Sequence, residues 1–197
     1  MIRHATGEHM ADPSVIIGRA TDARLTQQGH AEAIMKGIEL RSRGIQPERV
    51  VTSPAIRCYE TGRLALLAMR LDLPIHASGY LHEMDQGQVV GMKRAEFYTE
   101  ARQSQIMQQG LDFSAPGGES PNQVANRGIN FLDNQITKPE SSIMAFTHGG
   151  LIAYTAGLLE GWDHEKSLAM RQQIAPVSET VFVFEDGHWQ LSEFARP

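Results

Sequence analysis

The chain is poor in the features that mark several classes of protein. Its 197 residues contain one cysteine, Cys58. A single thiol excludes an internal disulfide framework and fits a reducing compartment. No apolar run approaches the roughly 20 residues that cross a bilayer as a helix. No stretch concentrates Lys and Arg or interleaves them with aromatic residues, so nucleic acid is not an expected partner. The first ten residues already carry Arg3, His4, Glu8 and His9, which is not the pattern of a secretory signal. There is no Walker-type loop, no G-x-S-x-G elbow and no H-E-x-x-H zinc pattern. Internal repeats are also lacking. These absences lead to the expectation of a soluble, cytoplasmic protein with neither a membrane nor a nucleic-acid partner.

What remains is an ordinary globular composition, 41% hydrophobic with a formal net charge of −5. That suits one domain with a real core. With a negative chain, an anionic ligand would have to be drawn by local cations. The segment LTQQGHAEAIMKGIELRSRG carries apolar Ala31, Ile34, Met35 and Ile38 at helical spacing, with Thr26 as N-cap and Gly44 past the end. ERVVTSP reads as a short strand, Arg49 to Thr52. Pro54 then opens a helix that continues through IRCYETGRLALLAMRL, with Leu64, Ala65 and Ala68 on one face. KRAEFYTEARQSQIMQQG reads as a polar helix. In ESPNQVANRGINFLDNQI, Ser120, Pro121 and Gln123 form a capping-box pattern. SIMAFTHGG is an apolar strand that breaks at Thr147, followed by a helix. TVFVFEDGHWQL is a hairpin around Asp186-Gly187.

Strands alternating with helices predict an α/β fold. The expected form is a three-layer sandwich with a mostly parallel central sheet, helices on both faces and an antiparallel edge hairpin. Residues about 74–118 interrupt the alternation and are expected to be an insertion that caps the site. In such sheets ligands bind beyond the carboxyl ends of the strands. Three strand ends carry unusual groups there: Arg3-His4, Thr52-Ser53 with Arg57 a turn later, and Thr147-His148-Gly149-Gly150. Arg57 in a first helical turn faces the positive end of the macrodipole, unfavourable by roughly 0.3–1 kcal/mol unless an anion sits there. Arginine forks match phosphate oxygens, and neutral imidazole is a nucleophile. The set suggests phosphoryl transfer onto a histidine.

IRHAT, GRATDARLTQQGHAEA, VVTSPAIRCYETGRLA, LHEMDQGQVVG, PGGESPNQVANR and FTHGGLIAYTAG, in this order, resemble the histidine phosphatase superfamily, also called phosphoglycerate mutase-like. The resemblance covers nearly the whole chain, read as a single domain over 1–197, and points to the short phosphatase branch. It implies His4 as the nucleophile. Arg3, Arg57 and His148 would form the phosphate pocket, with Gly149 beside them, and Glu83 would donate a proton to the leaving oxygen. Asp85 is the second choice for that donor. The family needs no metal, and neither metal nor cofactor is expected, although His4, Glu8 and His9 cluster in sequence.

Where the family usually reads RHGET or RHGES with an Asn six residues after the histidine, this chain has Ala5, Thr6, Gly7 and Met10. Thr6 is then expected to supply the phosphate-binding hydroxyl. A carboxyl near 4.3 is mostly ionised at neutral pH. Glu83 is therefore expected either to have its pKa raised by burial or to work best in mild acid.

The expected activity is hydrolysis of a small phosphomonoester, the substrate being a small phosphorylated metabolite. Mutase-type phosphoryl transfer and a non-catalytic phosphate-binding role are the alternatives; a homodimer is left open. Only Met1 and Ile2 precede Arg3, which is short for a central strand. The expectation is either a chain that starts upstream or a frayed first strand with loosely held Arg3 and His4.

Overall fold

The computed structural model describes residues 1–20, 22–135 and 142–197. Thr21 of the GRATDAR segment and Ile136 at the end of the Ser120 segment lie outside the described residues. The elements in chain order are β1 (Ile2–Arg3), α1 (Gln27–Ser42), β2 (Arg49–Thr52), α2 (Ile56–Met69), β3 (Ile75–Ala77), α3 (Arg94–Phe97), α4 (Glu100–Gln109), α5 (Pro121–Asp133), β4 (Ile143–Thr147), α6 (Gly149–Glu160), α7 (His164–Gln173), β5 (Glu179–Glu185) and β6 (His188–Arg196).

The strands form one six-stranded sheet in the order β3-β2-β4-β1-β5-β6. β3, β2, β4 and β1 are parallel, and β5 and β6 run antiparallel to their neighbours. Alternation along the strands divides the core. Ile2, Val50, Met144 and Phe146 meet Leu40 of α1 and Cys58, Ala65 and Met69 of α2 on one face. Val51 and Ala145 meet Val124 and Phe131 of α5 and Leu151 and Tyr154 of α6 on the other. The result is the mostly parallel three-layer α/β arrangement with the hairpin at its edge. Asp186 and Gly187 take the two positive-φ positions of the hairpin turn, at 52° and 81°. None of the described helices is long and apolar enough to cross a membrane.

Several local expectations change. The apolar spacing that marks α1 as a helix is not its buried face. Gly29, Ala33, Gly37 and Leu40 turn inward, whereas Ile34, Met35 and Ile38 are 38%, 62% and 40% exposed. The reason is close approach: a Cβ on Gly37 would lie 2.3 Å from the Ala65 carbonyl oxygen of α2. Pro54 does not begin α2; Ala55 is the N-cap and Arg57 the second helical residue. The polar helix is two pieces, α3 and α4, with Thr99 capping the second. Ser120, Pro121 and Gln123 form a full capping box at α5.

The first strand is not frayed. Ile2 and Arg3 pair with Phe146 and Thr147 of β4, and Ile2 also pairs with Glu179 of β5. Ile2 is 2% and His4 3% exposed. Two residues suffice because β4 and β5 flank them on both sides.

Of the segment 74–118, residues 75–77 belong to the sheet edge. The remainder carries a small core of its own. Val89, Phe97, Phe113 and Ala115 pack on Ile16, and the Ile16–Met92 and Ser14–Arg94 backbone bonds tie them to the loop after β1.

Candidate active site

Because β2, β4 and β1 are adjacent and parallel, their carboxyl ends bring Ser53, His148 and His4 to one edge. A cavity of about 550 Å³ opens at that edge. Arg3, His4, Arg57, Glu83, Gly149 and Gly150 line its inner part.

His4 follows β1, and its N–H donates to the Thr147 carbonyl at 2.9 Å, which fixes its backbone. Its Nδ1 lies 2.7 Å from the Ala5 carbonyl oxygen. A carbonyl only accepts, so Nδ1 carries the hydrogen and Nε2 keeps its lone pair. Burial, then His148 and Arg57, hold the His4 pKa well below its ordinary value. The ring is neutral at neutral pH.

Arg57 is 1% exposed. Its Nη1 donates to the Ala20 carbonyl, and its Nη2 lies 3.2 Å from His148 Nδ1. Guanidinium cannot accept, so His148 Nδ1 does, and its Nε2 donates to Ser53 Oγ at 2.9 Å. Both nitrogens of His148 are therefore occupied in this state. Its ring centroid lies 5.3 Å from that of His4. Arg3 donates through Nη1 to the Ile174 carbonyl. Nε of Arg3 and Nε of Arg57 are buried without a hydrogen-bond partner among the described residues. Unpaired buried donors of this kind favour an incoming anion.

Glu83 reaches the site from the loop after β3. Its Oε1 accepts from Met84 N at 2.9 Å, and its Oε2 from Gly150 N at 3.3 Å. A Cβ on residue 150 would stand 2.2 Å from Oε1, so glycine is what admits the carboxylate. Gly149 is less constrained; a Cβ there would meet Arg3 Nε at an ordinary 3.6 Å. The raised pKa expected of Glu83 is not found. Burial pushes it up, but the charge of Arg171, the Met84 and Gly150 N–H groups and Arg57 outweigh burial and hold it below its ordinary 4.5.

Thr6 is not brought in. Its N–H and hydroxyl both donate to the Glu32 carboxylate of α1, at 2.8 and 2.9 Å, and it does not line the cavity. The hydroxyl expected to bind phosphate instead ties the loop after β1 to α1. Asp85 also stays outside, accepting from Gly87 N at 2.8 Å and facing Arg19.

Three cavity residues went unnoticed as site residues in the sequence. His9 lies beside His4, 5.3 Å between ring centroids with the rings tilted by 59°, and its Nδ1 is buried and unpartnered among the described residues. Burial, Arg57 and Arg3 lower its pKa to about 4. Arg94 and Arg171 also line the cavity. Arg171 lies on α7, a mostly polar helix without an apolar stripe to reveal it. Among the described residues, no group of three His, Cys, Asp or Glu is arranged to hold a metal ion.

Comparison with known proteins identifies the family. The model of the histidine phosphatase superfamily (branch 1) matches residues 1–196. A 2,3-bisphosphoglycerate-dependent phosphoglycerate mutase of Bartonella quintana is 28% identical over 155 residues, covering 75% of each chain. A mycobacterial glucosyl-3-phosphoglycerate phosphatase superposes with a TM-score of 0.79 at 20% identity, over 100% of this chain and 97% of that one. A phosphoserine phosphatase of Entamoeba histolytica gives 0.81 at 19%, over 98% and 94%. The chain belongs to the histidine phosphatase superfamily.

Proposed function

We propose that the protein is a metal-independent phosphatase acting on a small phosphorylated carboxylic acid. The observation that carries this reading is the His4 ring. It is neutral and buried, its Nδ1–H is fixed on Ala5, and Arg3 and Arg57 line the same cavity. Nε2 attacks phosphorus, an N–P bond forms and the ester P–O bond breaks. Glu83, in its protonated form, gives its proton to the leaving oxygen. The Ala5 carbonyl stabilises the positive ring of phosphohistidine. Water then attacks phosphorus, Glu83 takes its proton, the P–N bond breaks and inorganic phosphate leaves. Arg3 and Arg57 bear the charge of the transferring group, the kind of preorganised electrostatics that often dominates catalysis. His148 holds Arg57 in place.

The carboxylic-acid part rests on the remaining cavity lining. Arg94 and Arg171 add two cations there, while Asp12 is tied to Lys93 at 3.0 Å. The relatives named above act, by their names, on phosphorylated acids. The mutase reading is favoured by the name of the Bartonella relative and uses the same residues.

The test is hydrolysis of p-nitrophenyl phosphate and of phosphoserine with EDTA present. Inorganic phosphate should be released, and enzyme quenched in alkaline denaturant should carry label on His4. His4→Ala should lose on the order of 10⁶ in turnover, by analogy with removal of a covalent serine nucleophile. Full activity in that variant would remove His4 from the mechanism. With 3-phosphoglycerate as a third substrate, 2-phosphoglycerate in place of free phosphate would move the assignment to a mutase, and no turnover of any of the three to a binding protein.

A further inference from the structure

We propose that Arg127 and Glu119, with Arg19, form a positioning clamp that sets Glu83 for proton transfer. This rests on the reading of Glu83 as proton donor. None of the three lines the cavity, so each acts through Glu83.

Arg127 projects from α5, and all five of its N–H hydrogens are used. Nη1 donates to the Tyr80 and His82 carbonyls, both at 2.7 Å. Nη2 donates to the Glu83 carbonyl at 3.3 Å and to Glu119 Oε2 at 3.0 Å. Nε donates to Glu119 Oε1 at 3.0 Å. Five donors in a fixed plane are peculiar to guanidinium; an ammonium has three and no fork. Arg19 approaches from the other side. Its Nε donates to the same Glu83 carbonyl at 3.2 Å, and its Nη2 pairs with Glu119 Oε2 at 2.8 Å. Glu119 closes the ring by accepting from Asp85 N at 3.0 Å, while its own N–H donates to the Asp85 carbonyl at 2.8 Å.

The clamp grips the backbone at 80, 82, 83 and 85, an irregular stretch outside any long helix or strand. Among the described residues, Arg19 and Arg127 are the partners of the Glu83 carbonyl. The Glu83 side chain must meet Gly150 N within a site where a Cβ would not fit. Its backbone position therefore decides whether the carboxyl stands beside the leaving oxygen. Arg127 and Glu119 side chains are 14% and 20% exposed, so solvent only partly screens their pairing. The otherwise unassigned charges of the GRATDAR and PGGES segments, Arg19 and Glu119, acquire one common purpose.

A misplacement of about 1 Å can cost on the order of 10²-fold in rate. Arg127→Lys and Glu119→Gln should each lower kcat/KM for phosphoserine, which reports the steps up to loss of the leaving group, about ten- to a hundredfold. The kcat/KM for p-nitrophenyl phosphate, whose leaving group needs little protonation, should stay within about threefold, and the inhibition constant of inorganic phosphate should hold. Glu83→Gln should show the same selective loss. In the Glu83→Gln background, Arg127→Lys should change the ratio of the two substrates no further. If Glu83→Gln lowers kcat/KM equally for both substrates, the proton-donor reading fails. If Glu83→Gln is selective while Arg127→Lys and Glu119→Gln lower both substrates in parallel, or leave both unchanged, the clamp is overturned. Should Arg127→Lys not fold, Glu119→Gln, which preserves shape, decides alone.

Discussion

Arg57 shows how one residue can be read from sequence and still hold a surprise. A cation at the start of a helix is locally unfavourable. The structure offsets this with the Ala20 carbonyl and His148 rather than with solvent, leaving Nε unpaired at the cavity. A trigonal-bipyramidal vanadate bound at His4 should take up that donor. A charge-assisted hydrogen bond contributes roughly 1.5–3 kcal/mol, so Arg57→Ala should weaken vanadate inhibition about ten- to a hundredfold. An unchanged inhibition constant would show that Arg57 only braces His148. At this scale the strand-end and motif residues Arg3, His4, Arg57, Glu83 and Gly149 do come to one cavity, whereas His148, expected in the phosphate pocket, does not line it and has both ring nitrogens engaged. Thr6 misled because adjacency to His4 says nothing about direction: the chain turns after Ala5, and the hydroxyl meets Glu32. His9 was legible only as a histidine. Its approach to His4 depends on Gly7, where a Cβ would stand 2.7 Å from its Nδ1.

Elements were legible where capping or periodicity is strong, as with the Ser120 box and the Asp186-Gly187 turn. They were not where packing overrides pattern. Three large apolar side chains of α1 face outward because α1 and α2 meet through glycine and alanine, and a sequence pattern cannot distinguish a close-packed small face from a solvent face. The strength of that contact decides between two opposed effects of Gly37→Ala. Helix propensity favours alanine by about 0.8–1.0 kcal/mol. The new Cβ, however, would lie 2.3 Å from a backbone oxygen and 2.8 Å from the Ala68 Cβ, and neither belongs to a flexible side chain that can swing away. Overpacking of this kind costs about 1–3 kcal/mol. The net cost is about 0–2 kcal/mol, so Gly37→Ala should lower Tm by up to about 9 °C, at roughly 2–4 °C per kcal/mol for a chain of this size. Met35→Lys, on the 62% exposed outer side of the same helix, should move stability by no more than about 0.5 kcal/mol. A rise in Tm with Gly37→Ala in a thermal melt would show that the helices can separate at little cost.

For the molecule as a whole, strand order carries the argument. Sheet order β2-β4-β1 gathers neutral histidines, and arginines whose Nε groups lack a partner among the described residues, at one edge of a chain whose net charge is −5. Burial comes first in lowering the pKa of His4, His148 and His9, followed by neighbouring cations and, for His4, by His148. His82, half-buried, shifts the same way. Each group binds its proton more weakly folded than unfolded, so the unfolded chain takes up more protons once pH falls below about 6.5. The sign follows: the histidines' contribution to stability is constant above that value and declines below it, by up to about 1.4 kcal/mol per pH unit for each histidine until its folded pKa is reached. For His9 that decline ends near 4. Glu83 pulls the other way in activity. Its low pKa leaves it ionised in the free enzyme, whereas the donor role needs it protonated. A phosphate dianion beside Arg57 offsets one of the cations that lower that pKa, so substrate binding moves Glu83 upward. Turnover of a poor leaving group such as phosphoserine should thus rise as pH falls from 8 towards 6. Below that range the histidines should unfold the free enzyme, and vanadate should protect it by cancelling the positive charge that acid builds around them. Melting curves between pH 8 and 5 check the stability arm. His9→Asn should flatten the slope by removing one of the protons taken up, and a Tm independent of pH over that range would refute the linkage.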